Sequence, residues 1–292
     1  MGTHEDILEG SRKIRNIQKG CLIGRFGTIE FEGLFWTEKF PDSEWPIMKR
    51  NQLEKNAGIF PSDMASVKGW AARMKEAICA ADILAVGWYP PMVEAEKELL
   101  HSWGWKGAKI PLRSLESYYV AHEDRWTTML NGKNVCVVTS FADTAAKQVA
   151  KGEENVWPQA NGSIWPPYTN WYWVQTGYAP SLAYGQAGWE DCESWEKAVD
   201  YVVTEVLKTD ASIVLIGCGG LGMVIGHRLK KAGKICIVMG GAIQVLFGIK
   251  GQRWATHPTI SKFWNKHWVW PSEDETPKGS AIVEGGCYWK NT

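Results

Sequence analysis

The sequence predicts an α/β fold, a mainly parallel sheet flanked by helices. Two observations carry that prediction. Short apolar runs alternate with amphipathic segments along most of the chain, the pattern of β-strands joined by crossover helices. Residues 211–254 show the pattern most clearly. An apolar run there enters Gly217-Cys218-Gly219-Gly220-Leu221-Gly222, an amphipathic segment follows to Lys231, and a second apolar run ends in Gly240-Gly241. A glycine turn between strand and helix aims backbone N–H groups and a helix N-terminus at an anion, usually a phosphate.

The elements follow in order. Residues 1–19 form a lead-in containing a helix. Cys21-Leu22-Ile23-Gly24-Arg25-Phe26 reads as a short buried strand, and residues 28–36 as a helix with Ile29, Phe31, Leu34 and Phe35 apolar. Ser62 or Asp63 caps a helix through Ala81, with Val67, Trp70, Ala71, Met74 and Ile78 on one face. Residues 83–88 form the next strand, and Pro90-Pro91 opens a helix to about residue 100. After the Asn131-Gly132 turn come a strand at 134–139 and a helix at 143–150. Residues 155–184, rich in Pro, Gly and aromatics, form a long connection with one strand at 171–175; long connections commonly carry function. Residues 189–208 make an amphipathic helix, and residues 255–292 an aromatic C-terminal extension. No internal repeat appears, so residues 1–292 are expected to form a single domain.

Composition excludes several classes. Lys+Arg and Asp+Glu number 32 each, with no basic stripe for nucleic acid and no polybasic segment for an anionic membrane. The N-terminus lacks an apolar signal core, and no apolar run is long enough to span a bilayer. Seven cysteines without a C-x-x-C pair read as reduced thiols, which points to a cytoplasmic protein. A homodimer is compatible with the sequence. Eighteen tryptophans crowd residues 157–173, 189–195 and 254–270. They serve core packing, or some line a sugar-binding cleft.

Three strand-to-helix turns are candidates for a site at the carboxyl edge of the sheet. Gly217-x-Gly219-x-x-Gly222 matches a dinucleotide fingerprint. The following strand, however, ends in Met239-Gly240-Gly241, without the acid that NAD or the Arg that NADP requires. Glycines needed only for close packing are the competing reading. In Gly24-Arg25-Phe26-Gly27-Thr28-Ile29-Glu30, Arg25 offers a fork of donors suited to phosphate and Glu30 falls in the first helical turn; alternatively the two simply pair with each other. In Thr139-Ser140-Phe141-Ala142-Asp143-Thr144, Ser140 caps the next helix or, with Thr144, hydrogen-bonds a ligand. His267 and Glu284 are weaker acid–base candidates, and His227 is a lone helical histidine. No Ser-His-Asp order, H-E-x-x-H or Walker lysine is present.

These turns, with Asn56-Ala57-Gly58-Ile59-Phe60-Pro61, residues 132–141, residues 215–222, residues 240–249 and Glu284-Gly285-Gly286-Cys287-Tyr288-Trp289, resemble the GT-D type glycosyltransferases. These are Rossmann-like enzymes with nucleotide-sugar donors, and the likeness is to a branch found in polysaccharide-biosynthesis gene sets. It runs from about residue 20 to residue 289. The family carries R-x-G-D-G-E, whose D-x-E part is associated with a divalent metal and the donor diphosphate. Arg25, Gly27 and Glu30 match, but Thr28 stands at the aspartate position. A hydroxyl is a poor substitute for a carboxylate at Mn or Mg. Metal dependence is therefore open, with Glu30 and the donor's own phosphates the remaining ligands.

The resemblance implies transfer of a sugar from a nucleoside diphosphate donor, UDP preferred, to a hydroxyl of a glycan acceptor. Arg25 and the amides of Gly27 and Thr28 would serve the diphosphate. Glu30 would act as base for the acceptor or as metal ligand. Gly24, Phe26, Ser140, Phe141, Gly217, Gly219, Gly220, Gly222, Gly240 and Gly241 would shape the donor pocket. Trp165, Trp173 and His267 would stand on the acceptor side. The alternatives are a non-catalytic nucleotide-sugar or carbohydrate-binding protein and an NAD(P)-dependent oxidoreductase.

Overall fold

The computed structural model describes residues 2–160 and 162–290. The strands are β1 (Leu22–Gly24), β2 (Ile83–Ala85), β3 (Ala108–Ile110), β4 (Asn134–Thr139), β5 (Asn170–Gln175), β6 (Ile213–Gly217) and β7 (Ile235–Val238). They form one sheet in the order β3-β2-β1-β7-β6-β4-β5, with every neighbouring pair parallel. The helices are α1 (His4–Arg15), α2 (Thr28–Lys39), α3 (Ile47–Ala57), α4 (Met64–Cys79), α5 (Val93–Ser102), α6 (Ala142–Ala150), α7 (Glu153–Val156), α8 (Pro180–Ala183), α9 (Trp195–Leu207), α10 (Gly222–Lys231) and α11 (Ala242–Leu246). The α/β expectation holds. The sheet is wholly parallel, and its strands read as apolar runs because both faces are covered.

Alternate residues of each strand feed two separate cores. Cys136, Val138, Val214 and Ile216 pack on one face against Trp70, Met74, Val202 and Ile225 of α4, α9 and α10. Val135, Val137, Ile213 and Leu215 pack on the other against Ile14 of α1, Ala145 of α6, Leu246 of α11 and the aromatic loops. The tryptophan-rich connection belongs to this second core. The indole N–H groups of Trp157 and Trp165 both donate to the Leu246 carbonyl, at 3.0 and 2.9 Å. Those of Trp126 and Trp268 donate to Leu115 and Val156 carbonyls.

The boundaries differ from expectation where local chemistry overrides periodicity. The helix expected from residue 189 starts at Trp195, because Ser194 caps it and Asp191 adopts a left-handed conformation at φ 53°. Asp63 rather than Ser62 caps α4, accepting from the Ser66 amide at 2.9 Å. The β1 ladder stops at Gly24, leaving Arg25 and Phe26 in the turn. Helix α3 was not legible, since Leu53, Glu54 and Ala57 are its only buried positions. Strand β3 has three residues, too few for a pattern.

Topology sets the location of the site. Strands β1 and β7 lie side by side, yet the chain leaves β1 toward the first core, through α2, and leaves β7 toward the second, through α11. The divergence repeats at β6 and β4, which lead into α10 and α6 on opposite faces. A crevice opens where adjacent connections part, and ligands of such sheets sit there.

Candidate functional site

A cleft of about 410 Å³ occupies this crevice. Its floor is the four turns after β1, β4, β6 and β7. Of the residues expected at the donor site, Arg25, Phe26, Gly27, Thr28, Glu30, Ser140, Phe141, Gly217, Gly219, Gly240 and Gly241 line it. The sequence separation between Arg25 and Gly240 disappears in space. A side chain on Gly240, which has φ 57°, would meet the Arg25 guanidinium at 3.1 Å.

The β1–α2 turn is open to a ligand. Gly27, the N-cap of α2, has no side chain to cap the helix; the Glu30 carboxylate takes the Gly27 and Glu30 amides, and the Thr28 and Ile29 amides, on residues that line the cleft, have no side-chain partner among the described residues. Arg25 forms no ion pair among the described residues. Its Nε is sealed from solvent without a hydrogen-bond partner, and its guanidinium lies 5.3 Å from the centre of the Trp88 ring. The expected alternative, a simple Arg25–Glu30 pair, is not formed. The Glu30 carboxylate instead folds back over Gly27, where a side chain would come within 2.1 Å of Oε2. Burial raises the Glu30 pKa above the ordinary carboxylate value; Arg25 and the Glu30 and Gly27 amides pull it down, and Glu284 adds to the rise.

The glycine turn after β6 is closed by protein. A side chain on Gly219 (φ 44°) would meet the Ala57 carbonyl at 2.9 Å, and one on Gly220 the Ala57 Cβ at 3.1 Å. The Trp70 indole donates to the Gly220 carbonyl at 2.9 Å. Gly222 packs on Val238, and Gly24 on Met223 and Val238. Gly24, Gly220 and Gly222 therefore stand behind the cleft and do not line it. Gly217 lines it but packs on Ile243 of α11.

The β4–α6 turn is also sealed. Ser140 does not cap α6; its Oγ accepts from the Tyr178 hydroxyl at 2.7 Å. The first-turn amides of α6 are taken by Gln175 (to the Ala142 N–H, 3.0 Å) and Glu275 (to the Thr144 N–H, 3.0 Å). Thr144 bonds Glu275 through its hydroxyl as well, away from the cleft.

The three acceptor-side residues lie elsewhere. Trp165 is buried in the second core and stacks on Phe247. Trp173 stacks on Trp171 along edge strand β5. His267 uses its backbone, whose carbonyl accepts from Gln148 and Lys151. Their apolar or aromatic surroundings are common to core and cleft, so composition could not separate the two. The aromatic wall of the cleft comes instead from Trp88, Tyr178, Trp189, Tyr288 and Trp289.

Sequence reading missed Lys55 and Arg253. Lys55, in the last turn of α3, lines the cleft and forms no ion pair among the described residues. Arg253 reaches the Gly241 end of the cleft, 4.2 Å from the Tyr288 ring centre, and is paired to Glu284. Only Lys55's place next to the Asn56-Ala57-Gly58 stretch hinted at either residue. Glu284, a weak acid–base candidate, lines the cleft at φ 46°, a conformation that costs a non-glycine residue about 1–3 kcal/mol and persists where the surroundings enforce it. The cleft thus holds Arg25, Lys55 and Arg253 against Glu30 and Glu284, an excess of one positive charge.

The donor set for a divalent cation is thin. Thr28 offers a hydroxyl, Glu284 is committed to Arg253, and Glu30 is the remaining carboxylate. Among the described residues, no group of three or more His, Cys, Asp or Glu could hold a metal ion. These residues do not fit a protein-held Mn or Mg.

Fold and cleft together define a doubly wound α/β protein with an anion-ready crevice at a topological switch point. No family model matches the chain, and no curated protein matches it. Two solved structures are similar. One, "Selenomethionine substituted structure of domain of unknown function 1792 (DUF1792)", has 9% identity over 81% of this chain and 82% of that chain, with a TM-score of 0.38. The other, "The highly conserved domain of unknown function 1792 has a distinct glycosyltransferase fold", has 9% identity over 80% and 82%, with a TM-score of 0.35. At these scores the likeness carries no inference about activity. No helix of the described residues is long and apolar enough to cross a membrane.

Proposed function

We propose that the protein is a glycosyltransferase that moves a sugar from a nucleoside diphosphate donor, preferably UDP-linked, to a glycan hydroxyl. The observation that supports this most is the β1–α2 turn. An unpaired Arg25 and a helix N-terminus with no N-cap side chain stand beside a carboxyl whose pKa is raised. As the diphosphate departs, negative charge builds on it; Arg25 and the Thr28 and Ile29 amides of α2 meet that charge. Lys55 adds a second cation on the same cleft. Glu30, in its ionised form, takes the proton of the acceptor hydroxyl; its raised pKa makes it a stronger base than an exposed carboxylate. The aromatic wall excludes water from the reacting centre. No step is routed through a metal, because the residues present do not supply its ligands.

A nicotinamide dinucleotide has one observation in its favour. Arg253 reaches Gly241, where an NADP 2′-phosphate would want a cation, although Glu284 and Tyr288 already hold it. Thermal shift with UDP, GDP, their sugar conjugates, NAD and NADP separates the readings. A ligand at a hundred times its dissociation constant stabilises by about 2.7 kcal/mol. A shift with NADP and none with any nucleoside diphosphate overturns the proposal. Donor binding without turnover, across acceptors and metals, leaves a non-catalytic nucleotide-sugar-binding protein.

A further inference from the structure

A second cavity, of about 640 Å³, opens at the carboxyl ends of β2 and β3, beside the cleft. That size falls within the roughly 300–1,000 Å³ of small-molecule sites. Its walls are α1, the segments following β2 and β3, and residues 254–260. Trp88 lines both cavities. The Arg25 guanidinium that lies against Trp88 also acts electrostatically on Glu116 in the second cavity. The two spaces are neighbours that share one indole.

The lining combines flat rings with hydrogen-bonding groups of both kinds. Trp88, Tyr119 and Trp254 supply the rings. Arg113 lies 4.5 Å from the centre of the Tyr119 ring and keeps its fork of donors. The Tyr118 hydroxyl donates to Glu116 Oε1 at 3.1 Å, leaving Oε2 without a partner among the described residues. Burial pushes the Glu116 carboxyl to about 7, so near neutrality this group both donates and accepts. His257 Nδ1 accepts the Thr259 and Ile260 amides, each at 3.2 Å. Burial and Arg113 lower the His257 pKa, which favours the neutral ring. With Nδ1 serving as acceptor, the neutral ring carries its proton on Nε2, and Nε2–H is the donor left over.

Charge gives little hold to a multiply charged anion. Asp6 and Glu9 stand against Lys13, Lys109 and Arg113 in the lining, Glu9 is already paired with Lys13 at 2.7 Å, and Glu116 is partly ionised near neutrality, so the net charge lies between zero and one positive. A purely apolar occupant would leave Arg113, Glu116 and His257 without partners. What remains is a neutral ligand with apolar faces and a rim of hydroxyls.

We infer that this second cavity binds a neutral oligosaccharide, with Glu116, Arg113 and His257 holding its hydroxyls and Trp88, Tyr119 and Trp254 packing on its ring faces. Its role as the acceptor site rests on the glycosyl-transfer reading; carbohydrate binding itself does not.

Saturation-transfer NMR on the full chain tests this with maltotriose, cellotriose, lactose and N-acetylchitotriose at millimolar concentration. At least one is expected to bind. Glu116→Gln keeps the shape and the bond from Tyr118. His257→Asn keeps an acceptor for the two amides and removes Nε2–H. Each is expected to weaken that binding about tenfold, the size of one lost hydrogen bond of this kind, with the thermal shift by UDP unchanged. Should either variant fail to fold, Tyr119→Leu, which removes a ring, gives the same readout. No binding by any of the four sugars, or binding equal to wild type in the folded variants, overturns the inference. Sugar binding without any nucleotide shift keeps the site and removes its acceptor role.

Discussion

The β1–α2 turn and the β6–α10 turn sit on neighbouring parts of the same sheet edge and exchange the roles their sequences suggest. Gly217-x-Gly219-x-x-Gly222 has the spacing of a phosphate loop, yet Ala57, Ile59, Val238 and Ile243 fill the space its glycines leave, and Trp70 holds the Gly220 carbonyl. The Arg25–Glu30 turn has a single glycine in its loop, and it is the more open one, with no N-cap side chain, an unpaired guanidinium, and only the cleft's own Glu30 on its amides. A glycine reports that something approaches the backbone closely; it does not say whether that is a ligand or the protein itself. At Gly27 and Gly240 the neighbour is a side chain of the cleft, Glu30 or Arg25. At Gly219, Gly220 and Gly222 it is packing.

The comparison breaks most readily at Glu30. Glu30→Gln is expected to abolish transfer while keeping the thermal shift with nucleoside diphosphates. The loss should be at least the roughly 10²–10⁴-fold typical of a general base. Because burial disfavours the Glu30 charge, the variant should be as stable as wild type at neutral pH or more so. Retained turnover in a donor-consumption assay removes Glu30 from the mechanism. Next in size is Arg25→Gln. Losing a charged hydrogen-bonding partner costs about 1.5–3 kcal/mol, so UDP affinity by calorimetry should fall roughly ten- to a hundredfold. Unchanged affinity would mean that the open turn is not the diphosphate site.

Legibility followed length and periodicity. Strand β4 was readable to the residue, because the apolar run Val135–Val138 lies between the polar ends Asn134 and Thr139 behind an Asn-Gly turn. Helix α3 escaped because it buries little, and with it went Lys55. Arg25 and Glu30 were readable because they share one turn. Arg253 was not, because it meets Gly241 and the cleft only through the irregular C-terminal segment, where Glu284, its partner, was the one of the weaker acid–base candidates that the structure brings to the cleft. Trp165 and Trp173 were expected at the acceptor because aromatic density marks cores and sugar sites alike. Their indoles and rings bind Leu246 and Phe247 instead.

Gly219→Ala tests the other turn. A methyl group there meets the Ala57 carbonyl at 2.9 Å on a backbone at φ 44°. Overpacking and strain together should destabilise by about 1–3 kcal/mol in urea unfolding. If the turn is packing rather than phosphate cradle, nucleotide affinity in the folded fraction stays at the wild-type value. A loss comparable with that of Arg25→Gln would restore the glycine turn as a ligand loop and erase the contrast between the two.

The smallest expected effect concerns Glu116, across Trp88 from the open turn. Its carboxyl titrates near 4.5 in the unfolded chain and at about 7 when folded. Between those values the folded state holds more protons, so this group's contribution to stability falls as pH rises through the window and is fully lost above it. The full shift would correspond to about 3 kcal/mol, and partial exposure reduces that to on the order of 1 kcal/mol. Glu116→Gln cannot titrate. Relative to wild type it should gain nothing below pH 4.5 and about 1 kcal/mol above pH 7, read from urea unfolding at several pH values. Glu30 shifts in the same direction, so the raw wild-type profile mixes the two. The difference between variant and parent isolates Glu116. A flat difference would mean that the carboxyl is solvated as in the unfolded chain, and the second cavity would then be an open, water-filled groove with no poised group facing a ligand.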